Sequence, residues 1–402
     1  MTVTGGVVIV GGAMAALRTA EALRRHSVTL PVTIIGSESY LPYNRPPLSK
    51  EALRSRTLEH ADLAFPLRDS VAHVQFVTGR EVRSSDLESG IVTDSEGDDY
   101  SFEFLVAATG LRPRRSELAA NLAGVHVLHS LDDALALRPR LRPGARLVIS
   151  GSGFVALELA ATARGLGCQV TVVARGDKPL GLLGPELSAA LVDRHASEGV
   201  RFVLGHTIAA VHGEEAVEKI EISSGEVVSC DVYVEAIGSI PNTEWLEGND
   251  LDLSDGVLTD SHLRAVRESG QPWPNVYAVG DVARFPHWLA EGLPRRVGHW
   301  SNPTDSAKHV ATEIAHALDT GVTTADFEPI PSFWSDQYDF HLFSLGLPEL
   351  HDTAITVQGA CDGGECVVEY HRDGRLVGVA GVGLRSVVQG YREQFIRGKV
   401  AI

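Results

Sequence analysis

Apolar and polar positions along this chain follow an order that occurs twice. Residues 7–10 form the unbroken apolar run VVIV, the small residues GGAMAA follow at 11–16, a helical segment continues to about Arg25, and the apolar residues 32–35 come next. Short apolar runs on either side of a helix are typical of two buried parallel strands joined by a crossover helix. The pattern therefore predicts a βαβ unit between residue 7 and Glu38.

The same pattern returns in the middle of the chain. RLVIS at 146–150 predicts a strand, GSGFVA at 151–156 a turn, residues 157–166 a helix and VTVV at 170–173 a second strand. In such units the helix N-terminus presents unpaired N–H groups to a pyrophosphate, and small residues let the backbone approach it. Two units form an internal repeat and predict two dinucleotide sites.

The two turns differ in quality. The second matches G-x-G-x-x-A through Gly151, Gly153 and Ala156, whereas the first has Ala13 at its second position. A methyl group there is expected to crowd a pyrophosphate. Glu38 ends the second strand of the first unit, where an acid accepts hydrogen bonds from a ribose.

Other segments are less specific one by one. The patterns predict a strand at 104–110, helices at 132–137 and 185–197, a strand at 276–281 that ends in Gly-Asp, a helix that continues to Leu318, antiparallel strands at 353–382 and a single C-terminal helix at 384–397. Cys361 and Cys366 flank Asp-Gly-Gly, which favours a hairpin turn over a redox pair.

Composition narrows the function classes. A chain of 402 residues predicts two or three domains. The net charge of −17 argues against nucleic acid or an anionic membrane as partner. Four cysteines are no disulfide framework, and no apolar run is long enough to span a membrane. We therefore expect a cytoplasmic protein. The scattered histidines show no metal-ligand spacing such as H-E-x-x-H, so we expect no metal centre.

Five ordered segments, taken together, carry a family resemblance. They are LPYNRPPLSK at 41–50, ATGLRPR at 108–114, EAIGSIPN at 235–242, YAVGD at 277–281 and FWSDQY at 333–338. The chain resembles the FAD-dependent ferredoxin reductases of the putidaredoxin reductase and dioxygenase reductase type, within the pyridine nucleotide-disulfide oxidoreductase superfamily.

The resemblance implies an α/β fold with two Rossmann-like, glutathione-reductase-like domains and a C-terminal α+β interface domain. It implies an FAD-binding domain from 1–114 and 243–323, an NAD(P)H-binding domain at 115–242 and the C-terminal domain at 324–402. It also implies that electrons pass from NAD(P)H through FAD to a small [2Fe-2S]-type ferredoxin that serves a monooxygenase or dioxygenase.

Site residues are likewise implied by the resemblance. Lys50 is expected near flavin N5 in a pair with Glu158, Asp281 on the ribityl chain, and Trp300 and Trp334 against the ring. The remaining expected cofactor contacts are Gly11, Gly12, Ala13, Met14, Ala15, Ala16, Ser37, Glu38, Arg45, Val82, Ala108, Thr109, Gly110, Arg112, His129, Gly151, Gly153, Phe154, Val155, Arg175, Ile237, Gly238, Gly280 and His299.

Departures from the family pattern keep alternatives open. His129 replaces a common arginine, Ser37 a common aspartate, and Gly298 an acid. A degenerate scaffold with weak flavin binding is one alternative. Another enzyme of the superfamily is a second, such as an NADH oxidase, a nitrite-reductase-like flavoprotein or a disulfide reductase. Arg175 stands beside the position of the acid expected in NADH users, which leaves NADPH possible.

Overall fold

The computed structural model describes residues 5–119 and 122–400, which form two compact units. The first comprises residues up to Asn44, Leu63–Arg112 and Pro241–Ser332, and the second comprises Arg45–Asp62, Pro113–Ile240 and the residues from Phe333 onwards. The segment Arg45–Asp62, predicted within the FAD-binding domain, thus clusters with the second unit.

The first unit is built on a six-stranded sheet. Its strands, in spatial order, are Arg264–Val266, Pro272–Ala278, Phe104–Ala107, Val7–Val10, Val32–Gly36 and Val74–Thr78. The pairs from Pro272–Ala278 onwards are parallel, and only the outermost strand runs antiparallel to its neighbour. Helices Met14–Arg25 and Asn302–Ala317 pack against each other.

Two small sheets complete the first unit. One is antiparallel and contains Val82–Asp86, Ile91–Asp94 and Asp99–Ser101. The other contains Val257–Leu258, Ala283–Pro286 and Pro294–Arg296.

The second unit repeats the parallel arrangement. Its five-stranded parallel sheet has the spatial order Arg201–Leu204, Gln169–Ala174, Arg146–Ser150, Val232–Glu235 and Val125–His126. A small antiparallel sheet contains Ile208–His212, Lys219–Ile222 and Val227–Ser229. The helices are Glu51–Arg54, Leu131–Leu137, Phe154–Gly165 and Gly184–Ser197.

The C-terminal part of the second unit is a five-stranded sheet followed by helices. The spatial order is Ser332–Gln337, Phe340–Gly346, Arg375–Val382, Cys366–Arg372 and Thr353–Gly359. Its apolar side chains share a core with Leu183, Leu187 and Leu191 of the helix region 181–197.

The predicted strands and helices of both βαβ units are confirmed, but the single C-terminal helix is wrong. Two helices occur there, Arg385–Gly390 and Arg392–Val400, with Tyr391 between them. Gly390 is a poor helix former, and the Tyr391 hydroxyl donates to Glu369 Oε1 at 2.7 Å, which fixes the chain at the break. Among the described residues, no helix is long and apolar enough to span a membrane.

Candidate functional site

Each βαβ unit has a glycine that its neighbouring strand makes obligatory. At Gly11 the φ angle is 125°, and an added Cβ would lie 2.1 Å from the carbonyl oxygen of Ala108. At Gly151 the φ angle is 108°, and an added Cβ would lie 2.1 Å from the carbonyl oxygen of Ala236. Only glycine fits these positions, so each turn must pass this close to the carboxyl end of the adjacent strand.

The helices after these turns begin without the usual polar caps. Ala13 is the N-cap of Met14–Arg25 and Gly153 that of Phe154–Gly165. Neither helix has a side-chain cap or an acidic residue in its first turn. By contrast, helix Leu131–Leu137 has a complete capping box. The two uncapped N-termini present N–H groups and a positive dipole end that an anion can satisfy.

Ala13 causes no backbone strain. Its φ of −109° and ψ of −162° lie in the extended region open to any residue, and Gly153 has a similar conformation, with φ of −77° and ψ of −178°. The second position of the fingerprint therefore requires space and not left-handed backbone. Any effect of Ala13 on a nucleotide must come from its methyl group alone.

Several predicted FAD contacts converge in the first unit. The Tyr43 hydroxyl donates to Glu38 Oε2 at 2.6 Å, which orients the acid two residues after strand Val32–Gly36 ends. Gly280 lies against Ala15, since an added Cβ would be 3.3 Å from that methyl group, and its N–H donates to Ser306 Oγ at 3.0 Å. The segment before Asp281 is thereby fixed next to the start of helix Met14–Arg25.

A second group of predicted contacts follows strand Phe104–Ala107. Thr109 Oγ1 donates to the carbonyl oxygen of Asn242 at 2.6 Å, and Asn242 Nδ2 donates back to that of Thr109 at 3.0 Å. At Gly110 an added Cβ would meet no atom within 4 Å. The guanidinium of Arg112 is engaged by Glu244, with Nη2 to Oε1 at 2.5 Å, so its charge is largely offset within the protein.

Other predicted contact residues of the first unit differ in their exposure to solvent. Ser37 is exposed, and Val82 is buried at the start of an antiparallel strand. Trp300 has 43% of its surface exposed. Burial and the nearby charge of Arg295 lower the pKa of His299 to about 4, so its imidazole is neutral at physiological pH.

In the second unit, Lys50 and Glu158 form a buried ion pair. Lys50 Nζ lies 2.6 Å from Glu158 Oε2, and the two residues are 9% and 6% exposed. Lys50 also donates to the carbonyl oxygen of Pro46 at 3.1 Å. The pairing expected from the resemblance is therefore present in the structure.

Polar residues that the sequence prediction did not include complete this cluster. Ser49 Oγ donates to Glu158 Oε2 at 2.5 Å, and Ser335 Oγ donates to Glu158 Oε1 at 2.7 Å. Gln337 Nε2 donates to Ser335 Oγ at 3.0 Å, and its Oε1 lies 2.7 Å from His195 Nε2. The inward-facing alternation of FWSDQY, with buried residues at 333, 335 and 337, is the signal that could have revealed them.

Arg45 and His129, both predicted contacts, are also brought together in the second unit. Arg45 Nη1 donates to the carbonyl oxygen of His129 at 2.7 Å. The N–H groups of His129 and Ser130 donate to Asp133 Oδ2 at 3.0 and 2.8 Å. The capping box of helix Leu131–Leu137 thus fixes the loop that Arg45 holds.

A cavity of about 470 Å³ opens at the carboxyl ends of the parallel strands in the second unit. Ser150, Gly151 and Ser152 of the turn line it, together with Ala174 and Arg175 at the end of strand Gln169–Ala174. Arg114, His206 and Ile237 also line the cavity. Its position at the strand ends is that of a dinucleotide site in an α/β sheet.

Comparison with known proteins agrees with this geometry. A family model described as pyridine nucleotide-disulphide oxidoreductase matches residues 5–307, and a reductase C-terminal model matches residues 332–401. The chain belongs to the pyridine nucleotide-disulphide oxidoreductases.

Individual relatives cover almost the whole chain. Rhodocoxin reductase of Rhodococcus erythropolis is 32% identical over 94% of this chain and 86% of its own length. The ferredoxin--NAD(+) reductase component of the anthranilate 1,2-dioxygenase system of Burkholderia cepacia is 34% identical over 94% and 90%. The crystal structure of the covalent putidaredoxin reductase-putidaredoxin complex matches with a TM-score of 0.89 and 27% identity, covering 98% of this chain and 93% of that chain.

These matches confirm the family resemblance, the fold class, the assignment as an oxidoreductase and FAD with NAD(P)H as its cofactors. The residues present fit FAD in the first unit, because the turn at Gly11 is closed by small residues and the following helix N-terminus is uncapped and free of acids. The residues of the second unit fit a nicotinamide dinucleotide for the same reasons.

Proposed function

We propose that this protein is an FAD-dependent NAD(P)H:ferredoxin reductase that supplies electrons to a monooxygenase or dioxygenase through a small [2Fe-2S]-type ferredoxin. The observation that carries the proposal is the pair of uncapped, acid-free helix N-termini, each behind a glycine that a neighbouring strand makes obligatory. Two anion-accepting turns in one chain correspond to two dinucleotides, one bound as cofactor and one exchanged as substrate.

Bound FAD supplies the change from two-electron hydride chemistry to single-electron transfer. The protein positions the cofactor and tunes its surroundings. We assign the pyrophosphate to the N-terminus of helix Met14–Arg25, the adenosine ribose to Glu38 and the ribityl hydroxyls to Asp281. The hydrogen bond from Tyr43 orients the carboxylate of Glu38, and an acid at this place in the motif accepts hydrogen bonds from a ribose.

Lys50 is assigned the electrostatic role in flavin reduction. A cation held in place favours the negative charge that develops on a reduced flavin. Glu158, Ser49 and Ser335 hold it, because the carboxylate that pairs with Lys50 is itself fixed by two hydroxyl donors. Lys50 is therefore preorganised and needs no rearrangement during hydride transfer.

NAD(P)H is assigned to the cavity of the second unit, where Arg175 affects the choice between NADH and NADPH. Ala174 stands where NADH users of the family carry an acid, and the exposed Arg175 lines the cavity beside it. A guanidinium pairs with a 2′-phosphate, whereas a carboxylate repels it. We therefore propose weak discrimination against NADPH.

Two comparisons support a ferredoxin as the electron acceptor. They are the relatives named as ferredoxin reductase components and the match to a reductase-putidaredoxin complex.

The proposed domains are an FAD-binding domain formed by 1–114 and 243–323, an NAD(P)H-binding domain at 115–242 and a C-terminal domain at 324–402. The cytoplasm is the proposed location, because all four cysteines are free and buried thiols.

NAD(P)H-driven reduction of a ferredoxin panel, with cytochrome c as the final acceptor, tests the proposal. We expect turnover that needs both the reductase and a ferredoxin, and we expect the same flavin to be bleached by NAD(P)H alone. A protein that purifies without flavin and does not take up added FAD would instead support a degenerate scaffold. If oxygen reoxidises the reduced flavin faster than any ferredoxin of the panel does, an NADH oxidase would be favoured.

A further inference from the structure

Two histidines and a glutamate meet in the first unit away from the proposed nucleotide-binding residues. His309 and Glu313 lie one turn apart on helix Asn302–Ala317, so they share a face. His262 lies in the loop before strand Arg264–Val266 and reaches the same point. One potential ligand atom from each side chain lies within 4.8 Å of those of the other two.

The distances are close to those of a coordinated ion. His262 Nδ1 is 2.9 Å and His309 Nε2 is 3.6 Å from Glu313 Oε1. Tetrahedral Zn²⁺, with bonds of about 2.1 Å, separates its ligand atoms by about 3.4 Å. An ion would have to widen the contact between His262 and Glu313, which is a hydrogen bond in the structure.

The charge balance of the cluster also favours a cation. Glu313 is 7% exposed, and within the described part of the chain its ionic partners are these two histidines and no lysine or arginine. His309 Nε2 is buried and makes no hydrogen bond among the described residues.

A carboxylate behind His262 completes the arrangement. Asp326 Oδ1 lies 3.6 Å from His262 Nε2 and accepts from Ser261 Oγ at 2.7 Å. Histidine ligands commonly donate their second ring nitrogen to such a carboxylate, which orients the ring. The ring of Phe327 packs 5.1 Å from that of His309, and the Phe327 N–H donates to the carbonyl oxygen of Ser261 at 2.7 Å, so these segments are already fixed.

We propose that His262, His309 and Glu313 form a binding site for a divalent transition-metal ion of the Zn²⁺ class, with Asp326 as the outer carboxylate. Two imidazoles and one carboxylate suit Zn²⁺, Co²⁺ or Ni²⁺ better than Ca²⁺ or Mg²⁺, which prefer oxygen ligands. Three protein ligands leave a fourth position for water. The ion would join the 260–263 loop to helix Asn302–Ala317.

Calorimetric titration of the FAD-loaded protein with Zn²⁺ tests the site after EDTA dialysis and removal of any affinity tag. We expect one saturable site per chain and a rise in Tm with added Zn²⁺. His309→Ala and Glu313→Gln should weaken this site at least about 100-fold, and Asp326→Asn about tenfold, the range for loss of an outer partner.

His316→Ala is the matched control, because His316 lies on the same helix and bonds instead to the carbonyl oxygen of Val322 at 2.8 Å. It should bind Zn²⁺ as the unmodified protein does. Glu313→Gln preserves shape if His309→Ala fails to fold, and flavin absorbance reports folding in each variant. The absence of a saturable site would overturn the proposal, as would unchanged binding in both ligand variants. Anomalous scattering from Zn²⁺-soaked crystals should place one ion among the three side chains.

Discussion

Replacing Lys50 should slow flavin reduction and also destabilise the second unit, and a second substitution separates the two effects. In Lys50→Met, the side chain keeps its approximate volume but the cation is lost. Glu158 then remains buried at 6% exposure without its ionic partner. Removing one member of a buried ion pair typically costs 3–5 kcal/mol.

Here the cost is expected at the lower end, about 3 kcal/mol, because Ser49 and Ser335 still donate to the carboxylate. The double variant Lys50→Met with Glu158→Gln carries neither charge, and its stability should return to within about 1 kcal/mol of the unmodified protein. Flavin reduction should remain slow in both variants, by roughly 10- to 1000-fold, because the preorganised cation is absent from each.

Anaerobic stopped-flow mixing with NADH and NADPH measures the reduction rate, and urea titration followed by flavin and tryptophan signals measures stability. Ser335→Ala is the matched control, since it removes one donor to Glu158 and leaves Lys50 in place. If the double variant regains both stability and the normal reduction rate, the ion pair is structural and Lys50 has no electrostatic role.

Three further perturbations follow from other parts of the structure. Gly11→Ala should destabilise the first unit by about 3 kcal/mol or more, because its Cβ would overlap the carbonyl oxygen of Ala108. Ala13→Gly should change the free energy of unfolding by no more than about 1 kcal/mol, and denaturant titration of both variants checks this. Ala174→Glu with Arg175→Ala should raise the ratio of kcat/KM for NADH to that for NADPH, tenfold for each 1.4 kcal/mol of differential binding. An unchanged ratio would show that other residues discriminate between the two riboses. Burial lowers the pKa of His195 below 6.5, so the unfolded chain binds a proton that the folded chain does not, and stability present above pH 6.5 is lost as the pH falls. His195→Gln should therefore lose less stability than the unmodified protein between about pH 7.5 and about pH 5.5, and an equal loss would contradict this reading.

The sequence was sufficient for elements whose physics is local. Apolar runs followed by small residues located strands Val7–Val10 and Arg146–Ser150 and their helices, because short buried strands and tight turns restrict residue choice strongly. Gly11 and Gly151 were found in the same way. The reason that each must be glycine, the carbonyl oxygen of a strand far along the chain, appears only in the folded protein.

Features that depend on distant partners were not predictable from local pattern. The alternation of FWSDQY indicates that Ser335 and Gln337 face inward, but the contact of Ser335 with Glu158, far earlier in the sequence, appears only in the folded protein. The cluster of His262, His309 and Glu313 was likewise missed, because only the i,i+4 spacing of the last two is visible in sequence. The expectation of no metal centre had relied on local ligand spacing alone.

Ala13 shows how a departure from a motif is decided by geometry. In sequence it weakened the first fingerprint, since glycine is the usual residue there. The structure shows an extended backbone at this position, so alanine is conformationally allowed. The remaining question is the space that its methyl group takes from a pyrophosphate, which a flavin-binding measurement answers.

The proposed function requires that electrons pass from NAD(P)H through bound FAD to a small ferredoxin. Anaerobic double mixing tests it most directly: NAD(P)H is first used to reduce the flavin, and an oxidised [2Fe-2S] ferredoxin is then added. We predict that flavin absorbance returns in step with ferredoxin reduction and that rubredoxin, added instead as a comparison, is reduced more slowly. A flavin that NAD(P)H reduces but that no ferredoxin reoxidises would contradict the proposed function.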